Sequence, residues 1–206
     1  MDEKWRLLDT GLRDAFYNMA LDEAIATARS KHFVPNTLRF FRWDPSAVSI
    51  GYFQSMREEV DTEACKVRSI DYVRRRTGGG AVYHDKDGEL TYSLVIGKNH
   101  RLISEDFQET YQTLCSGLVL GLRILGIPAE FHPINDIVVE KKKISGNAQT
   151  RSMNVVHQHG TILRNLNPHL MFTVLKVSSE KIRDKMIKSA EERVTSISQF
   201  LAREVT

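Results

Sequence analysis

Three consecutive glycines, Gly78, Gly79 and Gly80, stand between two β-rich runs in the stretch RRRTGGGAVYHD at residues 74–85. Glycine lacks the Cβ that closes off most of backbone space, so three in a row mark a turn whose backbone something large can approach. YVRRR reads as a strand entering the turn and GAVYH as a strand leaving it. That context excludes a phosphate loop ending in Gly-Lys-Ser/Thr and a GxGxxG fingerprint, both of which open a helix. The N–H groups of such a turn can still form an anion-binding nest, with Arg75 and Thr77 adding charge-assisted and hydroxyl hydrogen bonds. The plain alternative is a tight connection with solvated arginines, although three glycines exceed what most turns require.

Around this turn the periodicities alternate irregularly. NMALDEAIATARS predicts a helix capped by Asn18, with Met19, Leu21, Ile25 and Ala28 on one face. TLRFFRW and AVSIGYF are β-rich runs separated by Asp44-Pro45-Ser46, a hairpin-like turn signal. EEVDTEACKVRS has the length of a short helix and ELTYSLVIG that of a strand. From Ser104 a long amphipathic helix carries Phe107, Tyr111, Leu114, Leu118, Leu122 and Leu125 as its stripe, with Glu105 and Asp106 at its positive end, and stops at Gly126 and Pro128. NDIVVE and KISGNAQ predict two strands around a turn at Lys141 and Lys142, followed by the strand VVHQHGTIL. Helices are predicted from Asn167-Pro168 to Leu175, over SSEKIRDKMIKSAEE, and over SISQFLAREV. Without strict βαβ alternation this is an α+β pattern: a mixed, largely antiparallel sheet packed with helices, in one domain spanning 1–206.

Composition narrows the function classes. The chain has 206 residues and two cysteines, Cys65 and Cys115, in no zinc-ligand spacing. That opposes a disulfide scaffold and structural zinc, and fits a reducing cytoplasm. MDEKWRLLDTGLRD is too charged for a signal peptide, and GLVLGLRILGI, interrupted by Arg123, is too short to span a bilayer. A formal net charge of +3 does not demand a nucleic-acid partner. The chain has neither an aromatic single-strand platform nor an evident reading helix, so basic residues alone would give only salt-sensitive, unspecific binding.

Two further constellations carry chemistry. Asn135-Asp136 precede EKKKISGNAQ, where an ammonium beside a Ser-Gly-Asn backbone can face a phosphate or a developing oxyanion. Lys143, next to Ile144-Ser145-Gly146, is the candidate, and Lys141 and Lys142 read as solvated turn residues. A run of three lysines is also a common surface feature. In HQHG, His157 and His159 share one strand face, a spacing compatible with a metal, but no third ligand follows from the spacing. Packing or substrate contact is the simpler role. Neither cysteine looks like a presented nucleophile: Cys65 lies in a charged helix, and Cys115 mid-helix packs as a small hydrophobe.

Together, RRRTGGGAVYHD, NDIVV, KKISGNAQ and HQHGTIL, with NMALDEAI, IGYFQ and ERVTSISQFL, resemble the catalytic domain of lipoate–protein ligases over most of the chain. The wider fold family includes biotin–protein ligases and octanoyl- and lipoyltransferases. The resemblance implies that lipoate and ATP form lipoyl-adenylate, from which the acyl group passes to a lysine of an acceptor domain. Such domains belong to 2-oxoacid dehydrogenase complexes or the glycine cleavage H protein. By motif match, Gly78, Gly79 and Gly80 would line the acyl and nucleotide site with Arg75 and Thr77 at its edge. Lys143 would lie near the acyl carbonyl and α-phosphate, and Asn135 and Asp136 on the nucleotide side, Asp136 helping to hold Mg²⁺. Ser145, Gly146 and Ala148 would continue that wall, His159 would lie near it, and Tyr83, His84 and Asp85 complete the loop motif. No zinc or haem is implied. AEFHPINDI contains no cysteine where octanoyltransferases of this fold have one, which favours adenylate over thioester chemistry. The alternative is an ATP-independent octanoyl- or lipoyltransferase. Longer ligases also carry a smaller C-terminal domain absent from 1–206. A separate accessory subunit, a truncated chain or transfer of a preformed adenylate would each account for that.

Overall fold

The computed structural model describes residues 3–165, 167–176 and 180–205. In chain order the elements are β1 (Arg6–Arg13), α1 (Ala15–Ser30), β2 (Thr37–Trp43), β3 (Ala47–Ile50), α2 (Met56–Glu59), α3 (Thr62–Val67), β4 (Asp71–Arg74), β5 (Val82–His84) and β6 (Glu89–Gly97). They continue with α4 (Phe107–Ile124), β7 (Glu130–His132), β8 (Asp136–Val139), β9 (Lys142–Ser152), β10 (Val155–Leu163), α5 (Pro168–Val174), α6 (Glu180–Arg193) and α7 (Ile197–Leu201). A seven-stranded sheet has the order β1-β2-β6-β10-β9-β8-β7, and a three-stranded sheet the order β4-β3-β5. Among the strands of the described residues only β1–β2 and β3–β4 pair in parallel, so the α+β, largely antiparallel architecture is as the sequence predicts.

The predicted hairpin across Asp44-Pro45-Ser46 does not form. β2 already has β1 on one edge and β6 on the other, so the chain leaves the large sheet and starts the small one at β3. That step seats Trp43 and Phe41 against Ala15 and Ala47 between the two sheets. Burying an aromatic of this size contributes about 1.5–3 kcal/mol. Helix α1 starts earlier than predicted: Asp14 caps it by accepting from Tyr17 N–H. Asn18 instead lies buried within the helix, its amide donating to the carbonyls of Arg13 and Arg42. The 58–69 helix is split, because Val60 buries itself and bridges to Leu175 while Asp61 caps α3.

Helix α4 packs Cys115, Val119 and Leu122 against Ile137, Val139 and Ile144 of β8 and β9. Its cap is Asp106, not Ser104, and Phe107 and Leu125 of the predicted stripe are exposed. The start predicted for the next-to-last helix at Ser178 lies outside the described residues. The last helix ends at Leu201, sooner than the predicted Val205, with Ala202 in the left-handed region. Among the described residues no helix is long and apolar enough to cross a membrane.

Candidate functional site

The turn between β4 and β5 meets β9 and β10 of the large sheet, and a cavity of about 450 Å³ opens at that junction. Of the residues singled out by sequence, Arg75, Gly78, Gly79, Gly80, His84, Asn135, Lys143, Gly146, Ala148 and His159 line it. Thr77, Tyr83, Asp136 and Ser145 do not. Tyr83 alternates to the opposite side of β5 and packs in the core of the small sheet with Val48 and Ile50. Ser145 is fully buried. Thr77 is buried behind the loop rather than at the cavity edge.

The three arginines have three different jobs. Arg74 Nη1 donates to the carbonyls of Gly51, Tyr52 and Gln54 and pins that turn. Arg76 reaches Glu23 at 2.7 Å on the surface. Arg75 is buried and holds the glycine turn: Nη2 donates to the carbonyls of Gly78 and Gly80, both at 2.8 Å. Its Nε donates to Thr77 Oγ1, and Nη1 to both oxygens of Ser49. Burial pushes Arg75 down to about 10, still cationic at neutral pH. No carboxylate pairs with it among the described residues, so its charge is left to act on whatever occupies the cavity. The glycines are required by packing as well as by access: a Cβ on Gly51 would strike the carbonyl oxygen of Gly79. Gly79 itself has φ +93°.

Opposite this turn, β9 carries Lys143. Register slips between Ile137 and Val138 of β8, leaving Ile144 of β9 as an extra residue. The bulge turns Ile144 into the core and brings Lys143 onto the face of Gly146, where strict alternation would separate them. The Lys143 side chain lies across the bare Gly146, so that a Cβ there would sit 2.7 Å from Cε and 2.8 Å from Nζ. Nζ pairs with Asp136 Oδ1 at 2.7 Å. Asp136 thus acts on the cavity through Lys143. Lys142 is exposed, and Glu140 and Lys141 form the left-handed two-residue turn.

Sequence reasoning passed over Asn147. Its Oδ1 accepts from Tyr92 Oη at 2.6 Å and its amide donates to Asn135 O at 2.8 Å. Asn135 Nδ2 returns a bond to Asn147 O, so the pair clamps the segment before β8 onto β9. Gly160 of β10, opposite Asn147, leaves room for this side chain: a Cβ there would meet Asn147 Oδ1. An Asn opposite a Gly was the available signal. Ser49, Trp43, Thr91 and Tyr111 also line the cavity and were not anticipated.

Two polar chains support the walls. In one, Thr77 Oγ1 lies 2.7 Å from His159 Nε2. Asp22 Oδ2 lies 3.6 Å from His159 Nδ1 and 3.5 Å from His157 Nε2. Burial would raise Asp22, but the two histidines facing it hold it far below the usual carboxylate range. Burial pushes His159 down to about 4, leaving it neutral. Asp22, His157 and His159 offer ligand atoms within 4.8 Å of one another. Arg39, 2.8 Å from Asp22 Oδ1 and fully buried, already supplies the positive charge a metal would bring. The second chain runs from Ser49 through His84 to Glu89.

Neither cysteine lines the cavity. Both are buried; burial raises Cys65 to about 11 and Cys115 to about 12.

A family model for the lipoyl protein ligase A/B catalytic domain matches residues 14–206. An octanoyltransferase LipM from Kyrpidia tusciae is 41% identical over 217 aligned positions, covering 95% of this chain and 78% of that protein. The fold is similar to an archaeal bipartite lipoate protein ligase from Thermoplasma acidophilum. That structure comes from a structural analysis of an archaeal lipoylation system that names the ligase and its E2 lipoyl domain; the TM-score is 0.84 at 34% identity, covering 100% of this chain and 78% of that one. It is also similar to a lipoate-protein ligase A bound with ATP, with TM-score 0.78 and 32% identity, covering 100% and 80%. The glycine turn, the lysine strand and the histidine strand around one cavity agree with that match, and the chain belongs to the lipoyl protein ligase A/B catalytic-domain family.

Proposed function

We propose that this chain attaches a lipoyl or octanoyl group to a lysine of a lipoyl-acceptor domain, and that it does so as a ligase, through an acyl-adenylate. The observation carrying the ligase reading is Lys143 turned over Gly146 into a cavity that also holds the Arg75 guanidinium, which meets no carboxylate among the described residues, and that neither cysteine lines. Two anions must meet in such a reaction. A lipoate carboxylate oxygen attacks the α-phosphorus of ATP and displaces pyrophosphate. The acceptor amine then attacks the acyl carbon, and AMP leaves with the former carboxylate oxygen. Lys143 and Arg75 supply positive charge for both steps, and the bare backbone of Gly78–Gly80 admits acyl chain and phosphate closely. Gln149 and Tyr111 form further walls of the cavity, which limits water access to the mixed anhydride.

The fit to Mg²⁺ rests on one carboxylate. Asp136 has Oδ1 committed to Lys143, so Asp136 would hold the ion through its other oxygen. A bound Mg²⁺ would neutralise phosphate charge. The acceptor is a domain of the kind named with the Thermoplasma ligase, which is bipartite; a separate accessory subunit is part of the proposal.

The name of the curated relatives favours a second reading, ATP-independent octanoyl transfer from a thioester. An acceptor-domain assay separates the two. Lipoate with ATP and Mg²⁺, lipoyl-adenylate, and an octanoyl thioester of a carrier protein are each offered, and acceptor mass is followed. Modification by the adenylate or by lipoate with ATP supports the ligase, and modification by the thioester alone overturns it in favour of the transferase.

A further inference from the structure

Arg151, Gln149, Gln158, Tyr92 and Asn147 form one hydrogen-bonded series that ends at the cavity, and its polarity is fixed at the arginine. Gln149 and Gln158 face each other across β9 and β10, and Tyr92 of β6 meets Asn147 beside the bare Gly160. An arginine can only donate. Arg151 Nε donates to Gln149 Oε1 at 3.1 Å, which leaves Gln149 Nε2 to donate to Gln158 Oε1 at 3.0 Å. Gln158 Nε2 then donates to Tyr92 Oη at 2.9 Å and to Cys115 Sγ. Tyr92 Oη, already an acceptor, gives its proton to Asn147 Oδ1 at 2.6 Å, and Asn147 Nδ2 donates to the carbonyl of Asn135. Turning any one carboxamide over would set donor against donor or acceptor against acceptor, a costly mismatch around the buried Gln158 and Tyr92. The arginine is itself held from outside the cavity. Nη1 donates to the carbonyls of Ser104 and Glu105, Nη2 to Thr110 Oγ1, and the guanidinium lies 3.9 Å from the centre of the Phe107 ring.

We propose that Arg151 is a positioning residue for the acyl-transfer site: through this series it orients the carboxamides of Gln149 and Asn147, so that each offers the cavity an N–H and not a carbonyl oxygen. Both carboxamides line the cavity, and Arg151 does not. Each has its oxygen engaged, by Arg151 and by Tyr92 respectively, and one N–H committed to a protein acceptor. A carboxamide carries two N–H groups, so one on each side chain remains for a substrate. The partners these donors suit are oxygen acceptors: the carbonyl of the acyl group and, in an adenylate, the phosphate oxygens. They add oriented dipoles to the positive charge of Arg75 and Lys143. The reversed wall would present carbonyl oxygens to the same atoms and repel them. Preorganisation of this kind requires the orientation to be set before substrate arrives, which a donor-only residue at the far end of the series achieves. The inference rests on the reading of the cavity as the site of acyl transfer, and it holds whichever donor supplies the acyl group.

The test uses the full chain, a lipoyl domain and two donors, lipoyl-adenylate and an octanoyl thioester. Arg151→Met removes the donor and should lower kcat/KM about 10- to 100-fold with whichever donor the wild type uses. Arg151→Lys, again donor-only, should recover most of that loss. Gln149→Glu keeps the shape and the acceptor for Arg151 but puts a carboxylate oxygen where the N–H stood, and should cost about 100-fold or more. Gln149→Ala cuts the series beside Arg151, so in that background Arg151→Met should change transfer by less than about twofold. If Arg151 merely anchored the start of α4, it would lower transfer equally in both backgrounds, and that result overturns the proposal. The orientation is read separately from the carboxamide resonances of ¹⁵N-labelled protein. The Asn147 NH₂ signal, identified by its loss in Asn147→Ala, should shift in Arg151→Met and return in Arg151→Lys. A signal that stays in place overturns the series. A wild type that labels the acceptor from neither donor removes the acyl-transfer reading, while the resonances still decide whether Arg151 sets the carboxamides.

Discussion

Lys143 Nζ lies 2.7 Å from Asp136 Oδ1, and the two side chains remain 41% and 30% exposed. An ion pair this wet adds about 0–1 kcal/mol to stability, so it serves the cavity rather than the fold. Lys143→Ala should therefore leave the urea midpoint nearly unchanged and lower acyl transfer by about 10²–10³-fold, the loss typical for removing one group that stabilises developing negative charge. Unaltered transfer rates in that variant would remove Lys143 from the mechanism.

Two glycine substitutions should separate access from architecture. In Gly146→Ala the new Cβ meets only the flexible end of Lys143, at 2.7–2.8 Å. The ammonium swings aside, stability changes by less than about 1 kcal/mol, and transfer falls about tenfold or more. In Gly51→Ala the Cβ meets the backbone of Gly79. The turn held by Arg75 must move, costing about 1–3 kcal/mol and activity together. Thermal melts beside single-turnover transfer measure both. Equal effects in the two variants would contradict the distinction.

Much of this arrangement was legible because the signals are local. A triple glycine between strand-like runs, and strands such as Glu89–Gly97 and Val155–Leu163, declare themselves in any context. What failed depends on distant partners. Strict alternation separates Lys143 from Gly146, and only the bulge at Ile144, set by the pairing of β8 with β9, reunites them. The supposed hairpin at Asp44-Pro45-Ser46 fails because β1, itself unrecognised in a charged N-terminal stretch, occupies the edge that β3 would need. Asn147 escaped notice because its partners, Asn135, Tyr92 and the space above Gly160, are brought to it from three other segments. Asn18 was read as a cap because a polar residue near a helix start usually is one, whereas here it receives Arg39 in the interior.

Acid should loosen the wall that carries His159. Burial holds it near pH 4 against an ordinary value of 6.5, so the unfolded chain binds this proton more readily than the folded one. Its contribution is complete above about pH 6.5 and is lost as pH falls towards 4, up to about 3 kcal/mol. Asp22, depressed below its usual range, adds a further loss below about pH 4. Urea midpoints between pH 7 and 4 should fall, and His159→Gln should flatten that slope. A slope unchanged by the substitution would mean that His159 does not titrate as its burial requires.

The thiols provide the last discrimination. Cys115 is fully buried in the core under α4, its sulfur accepting from Gln158 Nε2 at 3.6 Å, and Cys65 is buried in the core of the small sheet. With burial raising them to about 12 and about 11, neither forms appreciable thiolate at neutral pH, and a buried thiol of this kind is inert. The native chain should resist iodoacetamide until it is unfolded. Cys65→Ala combined with Cys115→Ala should retain transfer within about threefold, while each lost sulfur costs about 1 kcal/mol of packing. If Cys115→Ala alone abolished transfer and left the melting curve intact, an acyl-cysteine would have to be admitted. The sulfur would then have to reach the cavity past Gln158 and Tyr92, by a rearrangement of the α4 face that the packing of Cys115, Val119 and Leu122 against β8 and β9 opposes.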